Sequence, residues 1–297
     1  MTLHKVAVFI FSMVSLCLTT SLSAQTPSPT LNNDAGRGNV TVPFVLLRGY
    51  LIVIEADVGS LGGRRLIVDT GTTSTVLDRS VARQLGLGGR ESRLTLLNGD
   101  ERVKTSILSG LTLGPITARS LPVFVADLSF FTRELGTRID GIVGLDVLRA
   151  SSFTIDYGAR EIIFGPVQSS PAAVPFESGP PLVTVTMKIE GRPLRLLVDT
   201  GASGLLLFPG DQRWAERAAI VGEHASTTIS GSFTREEVEL SDMQLGGLRM
   251  PSHTAYVVWA RKETTPDFQG LMGTGAMGLK EVAFDFEHNR LEVKMRK

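Results

Sequence analysis

The chain has 297 residues, and its 30 basic side chains balance 30 acidic ones. Its length fits one large domain or two modest ones, and an apolar fraction of 42% is ordinary for a globular protein. Because no cluster of Lys and Arg is interleaved with aromatic residues, the charge balance argues against a nucleic-acid or membrane-surface protein.

The N-terminus has the features of a signal peptide over residues 1–24. Lys5 supplies a positive charge, residues 6–18 are apolar, and Leu22-Ser23-Ala24 offers small residues for cleavage. The apolar run is shorter than the ~20 residues that span a bilayer. It therefore favours a cleaved signal peptide, with an uncleaved membrane anchor as the alternative. We expect an exported protein, either periplasmic or secreted.

The region after the signal peptide contains no cysteine. Cys17, the only one in the chain, lies within the apolar run, so neither disulfides nor cysteine catalysis are expected in the mature protein. Residues 25–40 are rich in Pro, Asn and Gly and predict a flexible leader. The folded part is then expected to begin at about residue 41.

The remaining chain contains the same pattern twice. LIVDTGTTST at residues 66–75 returns as LLVDTGASG at residues 196–204, about 130 residues later. Three more pairs of segments recur at nearly the same offset: LSGLTLG at 108–114 and LSDMQLG at 240–246, DGIVGLDVL at 140–148 and QGLMGTGAM at 269–277, and FTIDYGAREIIF at 153–164 and AFDFEHNRLEV at 283–293. Repetition over this length indicates a duplicated domain. We predict one lobe at 41–167 and a second at 174–297, joined by a linker at 168–173.

Most of both lobes is expected to form β-strands. Runs of β-branched and aliphatic residues bounded by Gly or turn residues predict strands, which include Val53–Val58, Arg65–Val68, Thr184–Ile189 and Arg195–Val198. Hairpin turns are expected at Asn98-Gly99 and Ser230-Gly231. Short helices are expected at about 79–85 and in DVLRA after Gly144. The predicted fold class is all-β, with two similar barrel-like lobes.

Two pairs of aspartates recur in both copies, and their contexts differ. Asp156 and Asp285 lie in hairpins, where turn-capping aspartates are common, so we expect a structural role for both. Asp69 and Asp199 each follow a strand of buried type and precede Thr-Gly, which allows a tight turn and a close approach of the backbone. If the lobes pack about a pseudo-twofold axis, these two loops meet and their carboxylates face each other.

Two other aspartates lack an acidic counterpart in the second copy. Gln269 stands opposite Asp140, and Phe208 stands opposite Asp78. Asp78 is instead expected to cap the helix that follows it.

A pair of facing carboxylates can do acid–base chemistry. Two carboxylates in contact cannot both ionise, so the pair holds one proton between them. One aspartate then acts as the general base for a water molecule, and the other acts as the general acid for a carbonyl oxygen. Asp69 and Asp199 therefore predict hydrolysis at a carbonyl group.

The motif D-T-G-[TA], a later hydrophobic-hydrophobic-Gly element and a second copy of both resemble the aspartic peptidases of the pepsin and retropepsin clan. The later elements are Ile142-Val143-Gly144 and Leu271-Met272-Gly273. The likeness covers nearly all of the mature chain. Because the lobes are short and alike, the chain is most similar to a retropepsin-like protease whose two lobes are fused in one chain. The resemblance implies two retropepsin-like (acid-protease) β-barrel lobes related by pseudo-twofold symmetry.

The resemblance also implies a role for each residue of the repeated motif. Asp69 and Asp199 would be the catalytic pair of an aspartic endopeptidase. Thr70 and Thr200 would each reach the backbone of the opposite lobe with the side-chain hydroxyl. Three more residues would support the catalytic loops: Gly71, Thr72 and Gly201.

The hairpins at Asn98-Gly99 and Ser230-Gly231 would be flaps that close over a peptide or protein substrate in extended conformation. Both tips depart from the family, because they lack the Gly-rich retropepsin form and the tyrosine of pepsin-type flaps. A fused pseudo-dimer completes its site within one chain, so we expect a monomer.

The two catalytic loops differ at one position that could make the aspartates inequivalent. The first loop continues with Thr72, and the second has Ala202 there. A hydroxyl that donates to the ionised form of a carboxylate lowers its pKa. On that basis Thr72 would donate to Asp69, and Asp69 would ionise more readily than Asp199.

Other kinds of site find little support. GTGAMG at 273–278 fits the dinucleotide pattern G-x-G-x-x-G, but too little chain follows it for a long helix and a second strand. His224, His253 and His288 lack metal-ligand spacing, and no histidine is placed to activate Ser203. We therefore expect neither a cofactor nor a metal. The alternative function is a catalytically silent peptide-binding protein on the same fold, and loss of one aspartate would have favoured it.

Overall fold

The computed structural model describes residues 28–34, 38–96, 99–170, 173–177, 182–208, 220–228, 231–258 and 268–296. The predicted signal peptide, the turn residues Asn98 and Ser230, and Pro171-Ala172 of the predicted linker lie outside these ranges. Strands account for 57% of the structure and helices for 8%, which confirms the all-β fold class. Within the described ranges, no helix is long and apolar enough to cross a membrane.

The first half of the chain contains twelve strands and three short helices among its described residues. In chain order the strands are β1 (Thr30–Asn33), β2 (Val40–Pro43), β3 (Val45–Leu47), β4 (Leu51–Val58), β5 (Leu61–Val68), β6 (Val76–Asp78), β7 (Arg90–Leu96), β8 (Gly99–Leu113), β9 (Ile116–Ala126), β10 (Gly141–Val143), β11 (Phe153–Asp156) and β12 (Glu161–Phe164). The helices are α1 (Arg79–Gln84), α2 (Ser129–Leu135) and α3 (Leu145–Leu148).

The described part of the second half contains twelve more strands. They are β13 (Val174–Pro175), β14 (Thr184–Ile189), β15 (Arg192–Asp199), β16 (Leu205–Leu207), β17 (Ile220–Thr228), β18 (Gly231–Leu240), β19 (Met243–Leu245), β20 (Leu248–Met250), β21 (His253–Val257), β22 (Gly270–Gly273), β23 (Leu279–Asp285) and β24 (Arg290–Met295).

Each lobe is built on a nine-stranded sheet, and the two sheets share one topology. The first has the order β1-β9-β6-β10-β5-β4-β8-β7, with β3 beside β4, and the second has the order β17-β18-β21-β16-β22-β15-β14-β19-β20. The paths β9-β6-β10-β5-β4 and β21-β16-β22-β15-β14 therefore correspond strand for strand. In the first lobe the long strand β8 pairs with both β9 and β4. In the second lobe two shorter strands take its place, since β18 pairs with β21 and β19 pairs with β14. This correspondence confirms the predicted pair of similar lobes.

A third sheet joins the lobes and reveals the symmetry between them. Its order is β13-β24-β23-β11-β12-β2, with three strands from each lobe. At its centre β11 and β23 pair antiparallel, and Thr154 lies opposite Ala283. These two residues are equivalent in the repeat, because each stands two places before the recurring aspartates Asp156 and Asp285. The pseudo-twofold axis therefore passes between them.

Aromatic side chains from both lobes pack against this joining sheet. The ring of Phe153 stacks on that of Phe284 in the other lobe with their centroids 4.9 Å apart, and Phe164 lies 5.8 Å from Phe153. All three side chains are fully buried. Burial of one such side chain contributes about 1.5–3 kcal/mol, so these contacts hold the two lobes together as one unit.

Two of the three helices lie where the sequence predicts them. Helix α1 follows Asp78, whose carboxylate accepts a hydrogen bond from the N–H of Ser80 (2.9 Å) and so caps the helix as predicted. Helix α3 occupies the predicted DVLRA segment. Helix α2 was not predicted. It buries Phe130 and Phe131 and ends at Gly136, whose φ of 66° suits a left-handed C-terminal residue.

The predicted flexible leader, residues 25–40, is wrong in part. Its strand β1 pairs antiparallel with β9, with Leu31 opposite Ala118. The amide of Asn33 also donates to the carbonyl of Ala150 (3.2 Å). The composition of this segment is turn-like, but the unpaired backbone groups at the edge of β9 provide partners that composition does not reveal.

The two predicted hairpins are present as strand pairs. Leu96 of β7 lies opposite Gly99 of β8, and Thr228 of β17 lies opposite Gly231 of β18. Gly99 and Gly231 are therefore the first residues of the returning strands.

Candidate active site

Asp69 and Asp199 occupy equivalent positions at the ends of β5 and β15. The N–H of Asp69 donates to the carbonyl of Val143 in β10 (3.1 Å), and Asp199 pairs with Gly273 in β22. Each aspartate thus lies beside the hydrophobic-hydrophobic-Gly element of its own lobe. Only 2% of Asp69 and none of Asp199 is exposed. Such burial of two carboxylates is costly unless they are hydrogen-bonded or protonated.

The tight turn after each aspartate holds its carboxylate in the same way. The N–H of Gly71 donates to Oδ1 of Asp69, and the N–H of Gly201 donates to Oδ1 of Asp199, both at 2.8 Å. A Cβ atom added to Gly201 would lie 3.0 Å from Cγ of Asp69. The carboxyl group of Asp69 therefore lies directly against the residue that holds Asp199, and the two acidic groups meet at the boundary between the lobes.

Thr70 and Thr200 lock the two loops together with four hydrogen bonds. The N–H of Thr70 donates to Oγ1 of Thr200 (3.0 Å), and the N–H of Thr200 donates to Oγ1 of Thr70 (3.1 Å). The hydroxyl of Thr70 donates to the carbonyl of Val198 (2.8 Å), and that of Thr200 donates to the carbonyl of Val68 (2.7 Å). Both threonines are fully buried. All four bonds cross between the lobes, so each loop fixes the position of the other.

We expect Thr70→Val to destabilise the protein, because it leaves the N–H of Thr200 and the carbonyl of Val198 without the hydroxyl partner. Each such loss at a buried group corresponds to about 1–3 kcal/mol in the free energy of unfolding. Denaturant unfolding measures this change. The control Thr70→Ser keeps the hydroxyl and loses one methyl group, so its cost should be about 1 kcal/mol. A Val variant no less stable than the Ser variant would contradict a stabilising role for the cross-lobe bonds.

The hydrogen bond predicted from Thr72 to Asp69 is wrong. The hydroxyl of Thr72 donates to the carbonyl of Ser74 (3.2 Å), so its one proton is not available to the carboxylate. Thr72 still supports the loop, because its own carbonyl accepts a hydrogen bond from the N–H of Leu145 (2.9 Å). The difference between Thr72 and Ala202 therefore gives no reason for Asp69 to ionise before Asp199.

A further carboxylate lies behind the loop of Asp69. Asp146, in the first turn of α3, accepts hydrogen bonds from the N–H and the hydroxyl of Thr75, both at 2.8 Å. Burial raises the pKa of Asp146 to about 6, although the hydrogen bonds from Thr75 oppose this change. In the second lobe Gly275 stands at the position of Asp146, and Leu205 stands at the position of Thr75. Since neither has a polar side chain, these two positions cannot form the same contact.

The raised pKa of Asp146 predicts that stability falls as the pH rises. Below its ordinary pKa of 3.8 the carboxyl is protonated in both the folded and the unfolded protein, and between 3.8 and about 6 it is protonated only in the folded one. Ionisation at higher pH therefore lowers the free energy of unfolding, by about 3 kcal/mol at neutral pH. We expect Asp146→Asn to remove this loss, and urea unfolding between pH ~4 and ~7 measures it.

Asp127→Asn provides a control of opposite sign for this experiment. Asp127 is exposed, and hydrogen bonds from Ser129 lower its pKa. Its contribution to stability is therefore present above the ordinary pKa and lost as the pH falls, and solvent screening keeps it small. If the stability difference between wild type and Asp146→Asn is the same at every pH, the assignment to Asp146 is wrong.

Two polar residues beside Asp199 were not predicted. The hydroxyls of Tyr157 and Thr274 form a hydrogen bond of 2.6 Å between the lobes, and both residues are buried. The N–H of Thr274 donates to the backbone carbonyl of Asp199 (3.3 Å). A comparison of the two copies could have identified them, because each is a polar residue whose equivalent in the other copy is apolar: Phe286 for Tyr157 and Leu145 for Thr274.

A buried arginine distinguishes the second hairpin from the first. The guanidinium of Arg235 on β18 lies over the ring of Tyr256, 3.6 Å from its centroid, and the residue is 1% exposed. A Cβ atom on Gly204 would lie 3.5 Å from the same ring, so the stack reaches the loop that follows Asp199. Burial lowers the pKa of Arg235 to about 10, which leaves it charged at neutral pH. Val103 occupies the equivalent position on β8, so a positive charge replaces an apolar residue.

The second recurring pair of aspartates has the structural contacts expected of turns. The carboxylate of Asp156 accepts hydrogen bonds from the N–H groups of Gly158 (2.8 Å) and Ala159 (2.9 Å). Asp285 binds the guanidinium of Arg290 (2.7 Å), and its carboxylate also contacts the neighbouring histidine ring. Both carboxylates are thus used within the turns that follow β11 and β23, as expected for a structural role.

Asp140 and Gln269 have the same function in the two lobes, despite their different chemistry. Oδ2 of Asp140 accepts a hydrogen bond from the N–H of Arg65 (3.1 Å), and Oε1 of Gln269 accepts one from the N–H of Arg195 (2.8 Å). Asp140 also forms an ion pair with Arg138 (2.9 Å). The residue two positions before each hydrophobic-hydrophobic-Gly element is thereby tied to the strand that carries the aspartate.

The GTGAMG segment forms a connection between two strands. It starts at the last residue of β22 and is followed directly by β23, without a helix. A Cβ atom on Gly275 would lie 2.9 Å from Cα of Tyr50, so this glycine allows close packing between the lobes. In the described ranges, no group of three or more His, Cys, Asp or Glu residues could hold a metal ion.

Two Asp-Thr-Gly loops at equivalent strand ends, hydrogen-bonded to each other about a pseudo-twofold axis, define the class of two-lobed aspartic proteases. A family model described as aspartyl protease matches residues 54–147 and 185–276, one match in each lobe and together more than half of the chain. The chain belongs to the aspartyl protease family, which confirms the resemblance to retropepsin-like proteins. No curated protein shows a significant match to the chain.

Proposed function

We propose that the protein is an aspartic endopeptidase that hydrolyses peptide bonds with a water molecule activated between Asp69 and Asp199. One observation carries the proposal. The carboxyl group of Asp69 lies against Gly201, whose N–H holds the carboxylate of Asp199. Both groups are buried, and the cross-lobe bonds of Thr70 and Thr200 prevent the loops from moving apart.

This arrangement supports general acid–base catalysis by two carboxyl groups that share one proton. The ionised aspartate removes a proton from the water molecule, and the water oxygen attacks the carbonyl carbon of the substrate. The protonated aspartate donates its proton to the carbonyl oxygen, which forms a neutral tetrahedral intermediate. The aspartate that took the proton from water then passes it to the amide nitrogen, while the other aspartate takes back a proton from a hydroxyl of the intermediate. The C–N bond breaks, and the two carboxyl groups again share one proton.

The substrate is proposed to be a peptide or protein segment in extended conformation, bound beneath the β7–β8 and β17–β18 hairpins. An extended chain can add to such strands through main-chain hydrogen bonds. In this proposal Asn98, Gly99, Ser230 and Gly231 contribute to substrate binding, no cofactor or metal takes part, and one chain contains the whole site. An exported enzyme, periplasmic or secreted, would meet such substrates outside the cytoplasm. Mass spectrometry of the mature N-terminus tests the export.

A cleavage assay with a diverse peptide library at mildly acidic pH tests the proposed activity. We expect the protein to cleave a subset of the peptides and to be inhibited by a statine-type peptide, whose hydroxyl mimics the tetrahedral intermediate. If nothing is cleaved while the statine-type peptide binds, the protein is the catalytically silent peptide-binding protein instead. Cleavage that the mimic does not inhibit would contradict a mechanism based on the two aspartates.

A further inference from the structure

The hydrogen bond between Tyr157 and Thr274 creates a difference between the two halves of an otherwise symmetric site. Tyr157 follows β11 of the first lobe, and Thr274 follows β22 of the second lobe. Their hydroxyl oxygens are 2.6 Å apart, Thr274 is fully buried, and Tyr157 is 4% exposed. Hydrogen bonds between buried groups are strengthened by the low local dielectric. This pair is therefore a fixed polar contact in an apolar interface.

Several contacts place this pair behind Asp199. The N–H of Thr274 donates to the carbonyl of Asp199 (3.3 Å), so the backbones of the two residues are joined directly. Burial raises the pKa of Tyr157 above its ordinary value, and the negative charge of Asp199 also raises it. The phenol therefore stays protonated at any pH at which the enzyme works. Its position is fixed by the N–H of Tyr157, which donates to the carbonyl of Lys280 (2.9 Å), and by the edge of the Phe44 ring.

The first lobe offers no equivalent of this pair beside Asp69. Leu145 stands at the position of Thr274, and Phe286 stands at the position of Tyr157. Neither side chain has a polar atom. The N–H of Leu145 donates to the carbonyl of Thr72 (2.9 Å), whereas the N–H of Thr274 donates to the carbonyl of Asp199.

We propose that Tyr157 and Thr274 are positioning residues for Asp199, and that their hydroxyl pair, which has no counterpart beside Asp69, stabilises the ionised form of the Asp199 carboxylate. The inference rests on the proposed function, because the hydroxyl pair can decide which aspartate holds the proton only if the two aspartates share one. A polar neighbour favours the charged form of a carboxyl group. Asp199 is then the preferred base, and Asp69 the preferred holder of the proton.

The expected result of removing either hydroxyl is an altered pH–rate profile. Tyr157→Phe and Thr274→Val each keep the shape of the side chain and remove one hydroxyl. Without the hydroxyl the ionised form of Asp199 is less favoured, so the acidic limb of the pH profile of kcat should shift to higher pH by about 0.5 unit. Since neither residue contacts substrate, kcat should fall several-fold with KM unchanged. The double variant should be no worse than the more impaired single variant, because both remove the same contact.

Two control variants separate this effect from a general loss of packing. Thr274→Ser keeps the hydroxyl and should retain the wild-type acidic limb. Thr184→Val removes a buried threonine hydroxyl on β14 that accepts a hydrogen bond from Arg195 (3.1 Å). The charged groups that face the pair are Asp199 and Arg296, with Asp69 beyond Asp199 and Asp146 behind the loop of Asp69. All four remain unchanged in every variant.

A second measurement does not require activity. In protein labelled with ¹³C at the aspartate carboxyl groups, the NMR titration of Asp199 should move to higher pH in Tyr157→Phe and stay in place in Thr184→Val. A wild type that cleaves no peptide overturns the proposed function, while the titration still decides whether the pair affects Asp199. Variants whose kinetic acidic limb and NMR titration coincide with those of the wild type overturn the positioning role, whatever happens to their stability.

Discussion

Replacement of Asp69 or Asp199 by Asn is expected to abolish peptide cleavage while leaving the protein folded. In the proposed mechanism each aspartate acts in turn as general acid and general base, and loss of such a group lowers the rate by about 10²–10⁴-fold. The two groups act as one unit, so the double variant should be no slower than either single variant. Cleavage of a peptide that the wild type accepts, measured as kcat/KM, gives the size of the loss.

The fold should survive because the amide of asparagine can replace the contacts of the carboxylate. Oδ1 of each aspartate accepts one hydrogen bond, from the N–H of Gly71 or Gly201, and Oδ1 of asparagine can accept it equally well. The substitution also removes a charge from a buried site, which lowers the desolvation cost. Unfolding by denaturant should therefore show variants at least as stable as the wild type.

Asp156→Asn is the matched control for both variants. Asp156 belongs to the other recurring pair of aspartates, and its carboxylate accepts hydrogen bonds from Gly158 and Ala159 in an exposed turn. The same chemical change at this position should leave the cleavage rate unaltered. Asn variants of Asp69 and Asp199 that cleave as fast as the wild type, or a control that loses as much activity, would exclude these two residues as the dyad.

The sequence predicts the duplicated fold and the centre of the site well, because both depend on local patterns that occur twice. The apolar strands that lead to Asp69 and Asp199, the turn that Thr-Gly allows, and the offset between the copies are all visible in the chain. The cross-lobe bonds of Thr70 and Thr200 could be expected only through the family resemblance. Their partners are backbone carbonyls about 130 residues away, which no local pattern identifies.

The errors arise where a side chain has more than one available partner. Thr72 has the right position to reach Asp69, but the carbonyl of Ser74 is closer along its own turn and takes the hydroxyl proton. Short-range competition of this kind is typical of threonine. The Tyr157–Thr274 bond was missed for the opposite reason, since its partners belong to different lobes and meet only when these pack together. Strand β1 likewise depends on the free edge of β9.

Gly273→Ala is expected to cause a large loss of stability. A Cβ atom on Gly273 would lie 2.4 Å from the carbonyl oxygen of Ala202 and 2.7 Å from the backbone nitrogen of Gly204. Both atoms belong to the loop that follows Asp199, and the N–H of Gly273 is itself bonded to the carbonyl of Gly204 (2.9 Å). Because backbone atoms cannot rotate away as a side chain can, the whole loop must move.

The size of this effect should follow the available space at three glycines. Gly273→Ala should destabilise the protein by about 3–5 kcal/mol and remove activity, since overpacking against a fixed backbone combines strain with loss of a hydrogen bond. At Gly144, its counterpart in the first lobe, an added Cβ atom would lie 3.0 Å from the backbone of Ser74, a less severe overlap, so the cost there should be smaller. Gly247 has no atom within 4 Å of the added carbon, and alanine there should be neutral or slightly stabilising.

Denaturant unfolding of the three variants should give the order Gly273, Gly144, Gly247 in loss of stability. If Gly273→Ala is as stable as Gly247→Ala, the catalytic loop of the second lobe is not held as tightly as these distances require.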